Sequence, residues 1–432
     1  MPQRVTPFLG ALLLAACASA SPDADSSSDS IPQPTPVEES TTSADVTIEL
    51  AAWKGNEAEP AGLPELIAEF ESEYPSIAVE LTYASRIDIE IDIARRLSAG
   101  EAPDVLMVDM TIASPLIAAG QLADLGSESE WVERIDPDLQ RSLTADGQHY
   151  VMPVEVIGMG NFVNLGLLEE AGVDAPPGTI DELADACAKL ADAGIDPMVF
   201  TGGFSAALFM VANGVDRTVS SVADLGSGEA SFVDDAAFNT ALDTVRHLID
   251  ARCFDPTEQA GLDPWSTALT LFEQGKVAMM PQGAWNIGAF SSRDDLDFVF
   301  APIPSNSPTG TTIDLFGFGL ALPLDAQHPD EARRFIDWMA RPENIQRVLA
   351  AESAYTPFDD GSSGAPLLAR SFDEARAGGA RVDYPVALLQ WPANLEDEMW
   401  SSLTAFLLDP SMSNIDVFER WDQAVIDARG GS

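Results

Sequence analysis

The sequence predicts an α/β protein built around a mainly parallel sheet, and two observations predict it. Between Val46 and Val108, apolar segments at strand spacing alternate with amphipathic segments at helical spacing, in the order strand, helix, strand, helix, strand. The 432 residues, 46% of them hydrophobic, suffice to bury the cores of about two or three ordinary domains.

Each element carries its own signal. Val46 to Ala52, VTIELAA, reads as a strand. Pro64 then suits the first turn of a helix that places Leu63, Leu66, Ile67, Phe70 and Tyr74 on one stripe. Ile77, Val79, Leu81 and Tyr83 alternate as a second strand. In RIDIEIDIARRL, Ile87, Ile89, Ile91 and Ile93 alternate like a strand, whereas Ile89, Ile93 and Leu97 share a helical face. The length and the following Gly100 predict a helix. PDVLMV, ending at Val108, is short and wholly apolar after its first two residues, the pattern of a buried parallel strand.

In such sheets ligands bind outside the carboxyl ends of the strands. The loop after the first strand is WKGNE, with Trp53, Asn56 and Glu57, and the loop after the third opens on Asp109. An aromatic ring and carboxylates brought together there suit a small polar ligand, although Trp53 alone equally suits a cap on the sheet.

Charge narrows the partners. With 70 acidic against 22 basic residues the net charge is −48, which excludes nucleic acid and repels an anionic membrane surface. Attachment to a membrane therefore needs another device. Arg4 and an apolar run from Phe8 to Ala16, too short to span a bilayer, have the layout of a secretory signal over residues 1–16. Leu14-Ala15-Ala16-Cys17 resembles the lipobox of bacterial lipoproteins, in which the cysteine is lipidated. Residues 17–45, rich in Ser, Asp, Glu, Thr and Pro, then read as a lipidated Cys17 and an extended tether. In an exported chain Cys187 and Cys253 are a possible disulfide, with two buried free thiols as the alternative.

Three later blocks resemble one family in order. Gly147 to Gly194 carries Tyr150, Pro153, Asn164, Gly172 and Pro177; Ser266 to Phe290 carries a helix, a Gly-Lys turn, an Ala-Met strand and a Gly-x-Trp loop; HPDEARRFIDWMARPENIQ follows. Together they are similar to the extracellular solute-binding proteins of family 1, the carbohydrate-binding lipoproteins of ABC importers, of maltose/maltodextrin type. The chain departs from the usual pattern at Val163-Asn164, where the family has Tyr-Asn, and at Thr179-Ile180, where it has Thr-Trp. The resemblance implies a two-lobe periplasmic-binding-protein-like fold with an inter-lobe hinge. Residues 46–155 with 298–350 would form the first lobe, and residues 156–297 with 351–432 the second. The crossings fall near Pro153 to Ile157, Asp297 to Pro304 and Leu349 to Pro357.

The same resemblance implies a monomeric sugar-binding lipoprotein at the outer face of a bacterial cell membrane, delivering its ligand to the permease of an ABC transporter. Glu155 fits the family's acidic sugar contact, with a hinge salt bridge as the alternative. Trp285 in QGAW suits a cleft wall, with core packing as the alternative, and Trp265 and Trp391 are weaker candidates. Sugars offer hydroxyls around a ring and a face of C–H groups, so carboxylates and flat rings belong together in their sites.

Catalysis finds less support. No spacing selects a carboxylate pair for a glycosidase, GGFSAA around Ser205 lacks the Gly-x-Ser-x-Gly pattern, and the three histidines have no triad context. No cysteine–histidine cluster suggests a metal and no dinucleotide or phosphate fingerprint suggests a cofactor, so neither is expected. A polyamine, held by cation–π and carboxylate contacts, is the alternative small solute.

Overall fold

The computed structural model describes residues 44–430 apart from 56–60, 127–128, 146, 216–218, 360–362, 386–390 and 393. The signal, Cys17, most of the tether, and the candidates Asn56 and Glu57 lie outside the described residues. Eleven strands are described: β1 Val46–Ala52, β2 Ile77–Tyr83, β3 Val105–Val108, β4 Thr144–Ala145, β5 Gln148–His149, β6 Val151–Asn164, β7 Asp196–Met198, β8 Val277–Gly283, β9 Phe298–Ala301, β10 Thr312–Ala321 and β11 Arg381–Asp383. All but the β4–β5 pair join one sheet of order β2-β1-β3-β10-β6-β8-β7, with β11 on β10 and β9 on β6.

Direction changes across that sheet. The pairs β1–β2, β1–β3, β7–β8 and β10–β11 are parallel. Around β6 and β10 the pairing is antiparallel. The middle is held by β6, whose fourteen residues are all buried. One end of β6 pairs with β10 and its other end with β8 and β9, so a single strand runs from one half of the sheet into the other. The segment near Asp297–Pro304 contains β9, which pairs with Asn161–Asn164 at the far end of β6; β10 is the strand that pairs with its first part, Val151 to Met159. The third passage is short. Val156 and Tyr355 exchange backbone hydrogen bonds of 2.9 and 2.8 Å.

Local chemistry sets the helices beside these strands. RIDIEIDIARRL forms the helix Arg86–Ala99, capped by the Ser85 side chain and ended by Gly100 at φ 72°. The left-handed conformation costs glycine little, and this resolves the strand-or-helix ambiguity of the isoleucines. Ile89 and Ile93 face the core, while Ile91 stands exposed. Leu63–Glu73 takes Pro64 in its first turn and buries Leu63, Leu66, Ile67 and Phe70. In the other half Thr179 and Glu182 form a reciprocal capping box at the start of Ile180–Asp192. Phe162 of β6 packs among Phe272, Phe290, Phe298 and Phe300, with centroids 4.9 to 5.8 Å apart.

Cys187 and Cys253 are bonded to each other, closing a span of 66 residues. The bridge ties the helix Ile180–Asp192 to the segment after Ala236–Asp250, and both cysteines are fully buried. Among the described residues no helix is long and apolar enough to cross a membrane.

Candidate ligand cleft

The carboxyl ends of parallel strands supply the site in both halves of the sheet. β1 ends into Trp53 and Lys54, β3 into Asp109, β7 into the helix Gly202–Gly214 that carries Phe204, β8 into Trp285, and β11 into Tyr384.

In the first half Asp109 has two tasks. One carboxylate oxygen caps the helix Met110–Ala118 by accepting the Ile112 N–H at 3.0 Å, and the other accepts from Arg86 at 2.6 and 2.7 Å. Arg86 in turn lies 5.4 Å from the Trp53 ring centroid, which leaves Trp53 only 5% exposed. The ring is therefore covered by an arginine rather than open, and its edge contact with Phe318 seats it on β10.

Glu155 is fully buried. Its Oε1 accepts from Lys54 at 2.8 Å, and the same ammonium reaches Glu352 at 2.7 Å. A salt bridge is thus the arrangement found, and the carboxylate does not face solvent. Burial pushes Glu155 up to about 7 against the pull of Lys54, because that one ammonium is shared with Glu352, whose own charge adds to the rise. Burial would lower Lys54, yet the two carboxylates outweigh it and hold the ammonium above its usual range. Gly317 makes the fit possible: a Cβ there would stand 2.5 Å from Glu155 Oε1.

The second half contributes an aromatic wall. Trp265 and Trp285 have centroids 6.0 Å apart, Phe204 lies 5.1 Å from Trp265, and Trp400 meets Phe204 edge-on at 5.7 Å. Trp265 is 49% exposed, and Trp285 and Trp400 are partly exposed, so these side chains, unlike Trp53, reach solvent. Gly283 permits the Trp285 ring to fold back over the end of β8, since a Cβ there would meet the ring at 2.4 Å. Trp400 Nε1 donates to Tyr384 Oη at 3.4 Å, and Glu396, in the first turn of Asn394–Leu408, neighbours Tyr384. Burial pushes Glu396 up to about 7; Tyr384 lowers it, Asp109 and Asp397 raise it, and Arg86 lowers it. Asp109 and Arg86 belong to the β1–β3 half, and their charges act on Glu396 from there.

Of the residues singled out in the sequence, Trp53 and Asp109 meet through Arg86, Glu155 lies buried against Lys54, and Trp265 stands beside Trp285. Trp391 does not. It is 4% exposed, donates to the Val222 carbonyl at 2.8 Å, and packs against Phe232 and Phe238 in the core. Sequence reasoning missed Lys54, Arg86, Phe204, Tyr384, Glu396 and Trp400. Lys54 stood beside Trp53 in the inspected loop, and Trp400 stood on a helix without a signal for which face it occupies. A groove of about 840 Å³ between Asn394–Leu408 and Asn414–Gly430 is lined by carboxylates, including Asp397, Asp416 and Asp422, and has no aromatic lining. It offers no flat ring to stack on a sugar.

Residues 54–346 match the family described as bacterial extracellular solute-binding protein. The chain belongs to that family. This solute-binding protein is 20% identical over 288 residues to a maltotriose-binding protein of Pyrococcus abyssi (strain GE5 / Orsay), the match covering 65% of this chain and 60% of that relative's length. It is 24% identical over 326 residues to the melibiose/raffinose/stachyose-binding protein MelE of Bacillus subtilis (strain 168), covering 73% and 75% of the two chains. The solved structure of a family 1 extracellular solute-binding protein from Bifidobacterium longum subsp. infantis aligns with a TM-score of 0.69 at 18% identity, over 88% of this chain and 99% of that one. The solute-binding protein accordingly has the two-lobe α/β fold of its family.

Proposed function

We propose that the protein captures a sugar or short oligosaccharide between its two lobes and delivers it to the permease of an ABC importer. The observation that carries this reading is the wall of Trp265, Trp285 and Trp400, backed by the buried Phe204, with Tyr384 and Glu396 beside it. Flat rings cover the C–H face of a sugar, and the polar groups take its hydroxyls. The relatives' names, one for maltotriose and one for melibiose, raffinose and stachyose, support the same solute class. On this reading the protein binds its ligand without transforming it.

The proposed hinge is the strip where β6, β10 and the segment around Tyr355 lie side by side. It divides a first lobe around β1, β2 and β3 from a second around β7, β8 and β9. The protein is exported and held by lipid on Cys17 at the outer face of the cell membrane, with the tether spacing the lobes from it. Cys17→Ser should release it into the soluble fraction of fractionated cells, and retention equal to the parent's would discard the lipid anchor.

Thermal shift with maltotriose, raffinose and spermidine tests the solute class, since a ligand that binds only the folded state raises the melting temperature. A rise with either sugar and none with spermidine is expected. The reverse would select the cationic alternative, which the carboxyl groups near the rings could hold.

A further inference from the structure

We propose that Lys54 is the residue that couples the carboxyl end of β1 to the hinge, an inference that rests on reading the cleft as the ligand site. Lys54 follows Trp53 at the carboxyl end of β1, and its ammonium touches all three passages between the halves. It lies 2.8 Å from Glu155 on β6, 2.7 Å from Glu352 at the end of the helix Pro342–Glu352, and 5.3 Å from the Phe318 ring centroid on β10. Glu352 is followed within the same turn of chain by Tyr355, whose backbone is bonded to Val156.

The three passages are separate stretches of sequence, brought together by the sheet. β6 and β10 pair at Val156 and Phe316, and their register shifts on either side of Phe318, where the backbone is irregular. Backbone hydrogen bonds join the strands as neighbours but leave their mutual angle adjustable. A single charged side chain bonded to one and stacked on another adds a constraint that backbone pairing does not. Rotation at the strip therefore changes distances to one shared nitrogen.

Charge makes that nitrogen hard to move. One ammonium serves two carboxylates that are 0% and 7% exposed, and Glu155 Oε2 already has no hydrogen-bond partner. Withdrawing Lys54 would strand buried carboxylates, whose desolvation is costly without a partner. The loop bearing Trp53 is thereby pinned to the strip. A ligand that engages Arg86 shifts the Trp53 ring beneath it, itself packed edge-on against the same Phe318, and so shifts the pin, and closure at the strip repositions Trp53 in return. Lys54 acts here through its neighbours and needs no contact with the sugar.

Hydrogen exchange on the whole protein, with and without saturating maltotriose or raffinose, tests the coupling. Sugar should protect amides both near the aromatic wall and in the passages, at residues 153–157 and 315–319. The variant K54M/E155Q/E352Q removes every charge of the cluster together, which avoids a stranded ion. It should still gain protection near the wall, lose the gain in the passages, and bind sugar about tenfold more weakly. Undiminished passage protection in that variant would overturn the proposal. Should the triple variant fail to fold, E352Q keeps a one-to-one pair of Lys54 with Glu155. It should lose the sugar-dependent protection at residues 353–357 alone, and parental protection there would overturn the proposal equally. A parent that binds neither sugar would sink the functional reading and this inference with it, whereas binding with uncoupled passages would sink the inference only.

Discussion

Replacing Glu155 by glutamine should flatten the dependence of stability on pH. The parent carboxyl is fully buried and shares Lys54 with Glu352, and it is pushed from its ordinary 4.5 up to about 7, mainly by burial. In the unfolded chain that carboxyl loses its proton near its ordinary value. In the folded protein it keeps the proton to about neutrality, so over this window the native state binds more protons than the unfolded state. Stability from this group therefore falls as pH rises from about 4.5 through about 7, by about 3 kcal/mol in full. About 2 kcal/mol of it falls between about pH 5.5 and about pH 8.5. Glutamine carries no proton to lose, and Lys54 keeps Glu352 as a partner of opposite charge. Urea unfolding of parent and E155Q at the two pH values measures the difference. Glu396, also pushed up to about 7, slopes the same way in both proteins and cancels in the comparison. The expected result is a parent that loses about 2 kcal/mol more than E155Q on going to the higher pH. Equal losses would refute the claim that Glu155 is an under-compensated buried acid.

Two further outcomes follow from the site and the bridge. Trp285→Ala and Trp400→Ala should each weaken sugar binding by roughly 1 to 2 kcal/mol, roughly fivefold to thirtyfold, with the far-ultraviolet circular dichroism unchanged; calorimetric titration with maltotriose or raffinose checks this, and parental affinity in both would remove the wall from the site. Replacing both Cys187 and Cys253 by alanine should cost roughly 2 to 5 kcal/mol of stability, because the bridge closes a span of 66 residues, and denaturant unfolding that shows no loss would contradict a structural role.

What could be read from the sequence was what lies close together in it. The helix Arg86–Ala99 was legible through its length and Gly100, and the strand ends at Trp53 and Asp109 were legible because a parallel sheet directs them to one edge. The role of Glu155 was not. Its identity follows from Lys54 and Glu352, and those hydrogen bonds span 101 residues from Lys54 to Glu155 and 298 from Lys54 to Glu352. Arg86 over Trp53 was hidden for a related reason, since nothing in the local spacing shows that an arginine will occupy the face of a ring two elements away. Trp391 and Trp400 illustrate the limit most clearly. Both sit in the C-terminal part of the chain, yet one caps its indole on the Val222 carbonyl inside the core, while the other joins Phe204 and Tyr384 at the cleft. Only tertiary packing separates them.

Capture between lobes is tested most directly by solution scattering of the parent protein with and without a saturating sugar that calorimetry has shown to bind. Groups from both halves, Arg86 and Asp109 on one side and Glu396, Tyr384 and the tryptophans on the other, would share one ligand, so the radius of gyration should fall on binding. A bound sugar that leaves the scattering curve unchanged would contradict closure of the two lobes around it.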